Sequence, residues 1–61
     1  MSTRLLPLRS VIDRTSLSRT SIYRLQALGE FPKSVPLGGR VSWVEAEVSE
    51  WIDARVAERV A

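Results

Sequence analysis

Neither cysteine nor histidine occurs anywhere in this chain of 61 residues, and that double absence limits the fold more than any motif does. A domain of about 60 residues buries only roughly 60% of the surface its unfolded form exposes, so many lean on disulfides or a bound metal. Neither staple is available here. The chain must close as one domain, residues 1–61, around one small apolar core. Disulfide scaffolds, zinc fingers, thiol catalysis and Ser-His-Asp hydrolysis are excluded together. A core this small also leaves no room for an enclosed substrate cavity of about 300 Å³ or more. The reading is a soluble domain that binds rather than catalyses, with no cofactor and no metal.

No apolar run reaches the roughly 7–15 residues of a signal peptide or the roughly 20 of a membrane helix. The opening MSTRLLPLRS is broken by Pro7 and closed by Arg9. No membrane partner is expected, and the expected location is the cytoplasm.

The net charge of +2 says little until it is resolved along the chain. Through Arg40 there are Arg4, Arg9, Arg14, Arg19, Arg24, Lys33 and Arg40 against Asp13 and Glu30, a net +5. Beyond it, Arg55 and Arg59 stand against Glu45, Glu47, Glu50, Asp53 and Glu58, a net −3. Lys33 is the only lysine, and arginine is the cation suited to bidentate contacts with phosphate and guanine.

Hydrophobic spacing places the elements. Arg4-Leu5-Leu6, stopped by Pro7, reads as a lead-in strand or extended arm. Leu8, Val11 and Ile12 recur at i, i+3 and i+4, which predicts a helix of about two turns from Arg9 to Arg14 or Thr15. Thr15-Ser16-Leu17 reads as a turn, and Ser18 as the N-cap of a second helix running from Arg19 to about Leu28. Gly29 would follow it in the left-handed C′ position. Ile22, Leu25 and Leu28 cluster on one side of that helix. Arg19, Thr20, Tyr23, Arg24 and Ala27 occupy the other. Ser34–Leu37 and Arg40–Trp43 read as two short strands about Gly38-Gly39, with Pro36 confining the first to an edge. Ser42-Trp43-Val44-Glu45 has the form of a capping box. A third helix is predicted from Trp43 to Arg55 or beyond, with Val44, Val48, Trp51 and Ile52 inward and residues 56–61 frayed. Trp43 and Trp51 are expected in the core.

The sum is mainly α with a small β-hairpin wing: a three-helix winged helix-turn-helix. The helix-turn-helix covers about 9–28, the wing about 33–43 and the C-terminal helix about 43–58. Such a motif lays the start of its second helix over base edges in the major groove of duplex DNA. Arg19 and Arg24 would read guanine or bind phosphate, Thr20 would meet a base edge, and Tyr23 would hydrogen-bond a phosphate. In the wing, Gly39 permits close backbone approach, while Arg40 would enter a minor groove or meet phosphate. Lys33 and Arg14 are further candidates, Arg14 alternatively pairing with Asp13. Ser18 is chiefly a cap that could add a contact.

Leu17-Ser18-Arg19, Ile22-Tyr23-Arg24-Leu25, Gly29-Glu30-Phe31-Pro32-Lys33, Leu37-Gly38-Gly39-Arg40, Trp43, Glu47-Val48 and Trp51-Ile52 form an ordered series. In it the chain resembles the AlpA-type phage regulators, small members of the MerR-like winged-helix group that also includes phage excisionases. The resemblance spans Leu5 to Arg55. It implies a sequence-specific regulator of prophage or mobile-element genes, bacterial and associated with the nucleoid, using its second helix and wing on DNA. Self-association or cooperative binding at repeated sites, and contacts with an integrase or RNA polymerase, are the further partners in view. Ser16 stands where the family usually has glycine, implying either a strained backbone or a different turn. The segment from Arg40 to Trp43 is shorter than the family's. Two alternatives stay open: an excisionase-like recombination directionality factor that bends attachment-site DNA, and a protein-interaction module working through the acidic helix.

Overall fold

Proline decides the layout of the small sheet. The computed structural model describes residues 3–59 and contains three strands: β1 (Leu5–Pro7), β2 (Val35–Leu37) and β3 (Arg40–Val44). Proline cannot donate to a ladder and is confined to edges. Pro7 lies in β1 and Pro36 in β2, so proline-free β3 takes the centre, in the order β1-β3-β2 with both pairings antiparallel. The expected hairpin thus gains a third strand, because the lead-in segment pairs Leu5 with Val44 and Leu6 with Trp43. At the tip of the hairpin Gly38 and Gly39 have φ of 54° and 79°, the left-handed pair that a two-residue hairpin turn requires.

Helix α1 (Leu8–Thr15) starts directly after Pro7 and ends at Ser16. The Ser16 N–H donates to the Ile12 carbonyl at 2.8 Å, closing the last turn with Ser16 left-handed at φ 61° and ψ 17°. The strained backbone is therefore the outcome at this position. Helix α2 (Arg19–Ala27) begins at Ser18, whose Oγ accepts from the Ser21 N–H at 3.1 Å. It ends in a Schellman motif: the Glu30 N–H donates to Leu25 and the Gly29 N–H to Gln26, at 2.8 and 3.1 Å. Gly29 takes the left-handed position at φ 73°, as its placement after Leu28 predicts.

The third helix departs from expectation at its start. Ser42 is no N-cap, and Trp43 and Val44 are not helical: all three are ladder residues of β3, paired with Pro7, Leu6 and Leu5. Strand pairing occupies the backbone that the capping box would have needed. Helix α3 (Glu45–Glu58) begins at Glu45, with Val44 as an N-cap that has no side-chain bond. The Glu45 N–H donates instead to the Arg4 carbonyl, 2.8 Å away, so a distant backbone group supplies the cap. Acidic Glu45 and Glu47 in the first turn and Arg55 in the last suit the helix dipole. Helix continues through Glu58, the end of the expected span of about 43–58, so residues 56–58 are helical and not frayed; the last two positions, 60 and 61, lie outside the described residues.

The core is Leu6, Val11, Ile22, Phe31, Trp43 and Val48, with Leu8, Ile12, Leu17, Leu25, Trp51 and Ile52 packed around it. Each of the six elements except β2 supplies at least one of these side chains. Trp43 has no exposed surface and satisfies its indole by donating from Nε1 to the Pro32 carbonyl at 3.1 Å. Trp51 is only half-buried: it stacks edge-on against Phe31 at 4.9 Å, donates to the Glu30 carbonyl and carries Arg55 over its ring. Leu28, expected on the apolar side, is 63% exposed. It lies about 120° around the wheel from Ile22, past the last helical residue.

Candidate nucleic-acid interface

On α2, residues at 100° steps separate into two faces. Ile22 is buried, and Ser21, Leu25 and Gln26 are partly buried, whereas Arg19, Thr20, Tyr23, Arg24 and Ala27 are exposed. The outward set spans an arc of about 140° holding two guanidiniums, a hydroxyl and a phenol, and no carboxylate. Two anchors fix its orientation: Ile22 in the core and the Ser18 cap at the helix start. Tyr23 is tied to the fold through its ring, edge-on to Trp43 with centroids 6.2 Å apart, while 41% of the residue remains exposed. Its body is packed and its polar end is free to meet a ligand.

A cleft runs alongside, between the start of α1, the start of α2 and the wing turn. It is lined by the apolar Pro7, Leu8 and Ile12 and by Arg9, Arg19 and Arg40. The fold therefore joins Arg40 of the wing to Arg19 of the second helix. It also adds Arg9, which the sequence does not single out as a site residue. No local pattern links Arg9 to the other two, because they come from three elements that meet only through the core.

Other candidates sit elsewhere. Arg14 pairs with Glu45, Nη2 to Oε2 at 2.9 Å, and not with Asp13; the bond ties the end of α1 to the start of α3. Lys33 lines a separate groove with Phe31, Glu47, Glu50, Trp51 and Arg55, away from the arginine cleft. Ser18 spends its hydroxyl on the cap and on donating to Ser21 Oγ at 3.0 Å. Gly39, at φ 79°, has no neighbouring atom within 4 Å of where a Cβ would sit, so the wing tip is bare backbone. Among the described residues no group of three or more carboxylates could hold a metal ion, and no helix is long and apolar enough to cross a membrane.

Comparison with known proteins identifies the family. The model of the prophage CP4-57 regulatory protein (AlpA) family matches residues 4–56. The chain is 44% identical over 57 residues to the protein ORF88 of Enterobacteria phage P4, covering 92% of this chain and 65% of that protein. It is 39% identical over 61 residues to the DNA-binding transcriptional activator AlpA of Escherichia coli (strain K12), covering 85% and 84% of the two chains. The chain thus spans somewhat less than two-thirds of the phage P4 relative and most of AlpA.

Proposed function

The chain belongs to the family of the prophage regulatory protein AlpA, and on that premise we propose that it is a sequence-specific, duplex-DNA-binding regulator of prophage or mobile-element genes. The observation that carries the reading is the outward face of α2, where Arg19, Thr20, Tyr23 and Arg24 are exposed together with no carboxylate among them. That face fits a major groove, its arginines placed for guanine edges and phosphates and Thr20 for a base edge. The wing beside it would reach backbone or minor groove with Arg40. The −3 charge of residues 41–61 would keep the α3 side off the phosphates.

Each good bidentate pair contributes about 1–3 kcal/mol of discrimination, so a module this small covers few bases. Useful affinity then calls for repeated sites bound side by side, or for a partner protein. Work in the cytoplasm on nucleoid DNA follows from the same reading. The test is selection of bound duplexes from a random pool at fixed salt, then titration of the winner with wild type and with Arg19→Ala/Arg24→Ala. Wild type should enrich a shared sequence, and the double variant should lose at least about tenfold in affinity. Equal, weak binding of every duplex by both proteins would defeat the proposal.

A further inference from the structure

The lining of the arginine cleft contains three cations and no acidic residue. Arg9 and Arg19 occupy the first turns of α1 and α2, neither of which contains an acidic residue, although a cation at a helix N-terminus opposes the dipole. Arg40 is brought in from the wing, so three arginines line one cleft together with Pro7, Leu8 and Ile12. Among the described residues none of the three is ion-paired; the two ion pairs engage Arg14 and Arg55 instead. Like charges gathered over a low-dielectric wall repel one another and focus a positive potential outward. One anion seated among the three would be attracted by all of them at once.

We propose that the cleft is a clamp for a single phosphate, in which Arg9, Arg19 and Arg40 converge on one phosphodiester of the DNA backbone. The inference rests on the DNA-binding reading and adds to it. Arg9 becomes a contact residue, and the wing and α2 are registered to the same phosphate instead of gripping the duplex independently. Guanidinium N–H groups from three directions suit the oxygens of a phosphodiester. The lining residues Pro7, Leu8 and Ile12 carry no competing acceptor side chain. With α1, α2 and the wing held by one anion, a shift of the wing is transmitted to the start of the recognition helix.

The test is a methylphosphonate scan of the selected duplex, neutralising one phosphate at a time, against wild type, Arg9→Gln and Arg40→Gln. Wild type should lose at least about tenfold in affinity at the clamp position, the scale of a charge-assisted contact. At that one position, both variants should bind the neutral and the natural duplex within twofold of each other. Loss of sensitivity at two different positions, or at none, overturns the clamp. A second arm needs no DNA: thermal melting in inorganic phosphate against chloride at equal ionic strength. The wild-type midpoint should climb with phosphate while that of Arg9→Gln stays flat, and the melts themselves show that the variants fold. If wild type selects no duplex, the regulatory reading falls, and the melts alone decide the clamp: equal shifts in the two proteins reject it. A clamp that answers to free phosphate while no duplex is selected assigns the cleft to a soluble phosphate ligand and overturns the DNA phosphodiester.

Discussion

Replacing Ser16 with glycine should make the protein more stable. Ser16 closes α1 at φ 61° and ψ 17°, a conformation that costs an L-residue roughly 1–2 kcal/mol and glycine almost nothing. Its N–H bond to Ile12 at 2.8 Å is a backbone contact that the substitution keeps, and the side chain is exposed. Against the relief stands the larger conformational entropy of glycine in the unfolded chain, about 0.4–1 kcal/mol. The balance is a gain of about 0.5–1 kcal/mol, which in a domain this small raises the midpoint by roughly 2–8 °C. Circular dichroism melts of wild type, Ser16→Gly and Ser16→Val would measure it. Valine is the control, because a β-branched residue tolerates the left-handed region worst, and it should lower the midpoint. A glycine variant no more stable than wild type, or a valine variant unaffected, would refute the strain. Because this turn joins α1 to α2, the same strained residue sets the angle at which the outward face of α2 is presented.

Other perturbations test the remaining joints of the fold. Trp43→Phe removes ring volume from a fully buried site and strands the Pro32 carbonyl that the indole donates to; urea unfolding should show a loss of about 2 kcal/mol. Glu45→Gln breaks the Arg14 pair, whose side chains are 39% and 29% exposed, so thermal melts should show a loss of only about 0.3–1 kcal/mol. That difference should shrink in 1 M salt, where the Debye length is about 3 Å. Gly39→Ala places a Cβ at φ 79° and should destabilise by about 1 kcal/mol, read by the same melts. For the selected duplex, fluorescence anisotropy across salt concentrations should give a log–log slope of about −4 to −6, matching roughly four to seven phosphate contacts. A slope near −1 would contradict a backbone-anchored complex.

Features written within four or five neighbouring residues are legible in the sequence. Helical period sorted Arg19, Thr20, Tyr23 and Arg24 from Ile22 and Leu25, and the structure exposes the first group. Ser18 caps, Gly29 ends α2, and Pro36 marks an edge strand, because each acts through its own backbone or the adjacent turn. Leu28 departs from the pattern for a related reason: the Schellman turn ends the helix before it, so helical period no longer sets its side. Ser42 shows where local pattern loses to tertiary context. Its capping-box spacing is genuine, but pairing with Pro7 and Val35 takes the segment into the ladder and moves the helix start to Glu45.

The amino-acid sequence on its own determined that no disulfide or histidine-bearing metal site holds this fold, that the net charge is basic before residue 41 and acidic after it, and which face of α2 looks outward. Only the tertiary structure decided that β1 joins β3, that Arg14 is taken by Glu45, that Lys33 lies apart, and that Arg9 lines one cleft with Arg19 and Arg40. The physical reason is range. Caps, turns and helical faces depend on residues a few positions apart, whereas these pairings bring together side chains from separate elements. They form only once Leu6, Val11, Ile22, Phe31, Trp43 and Val48 have packed into a common core.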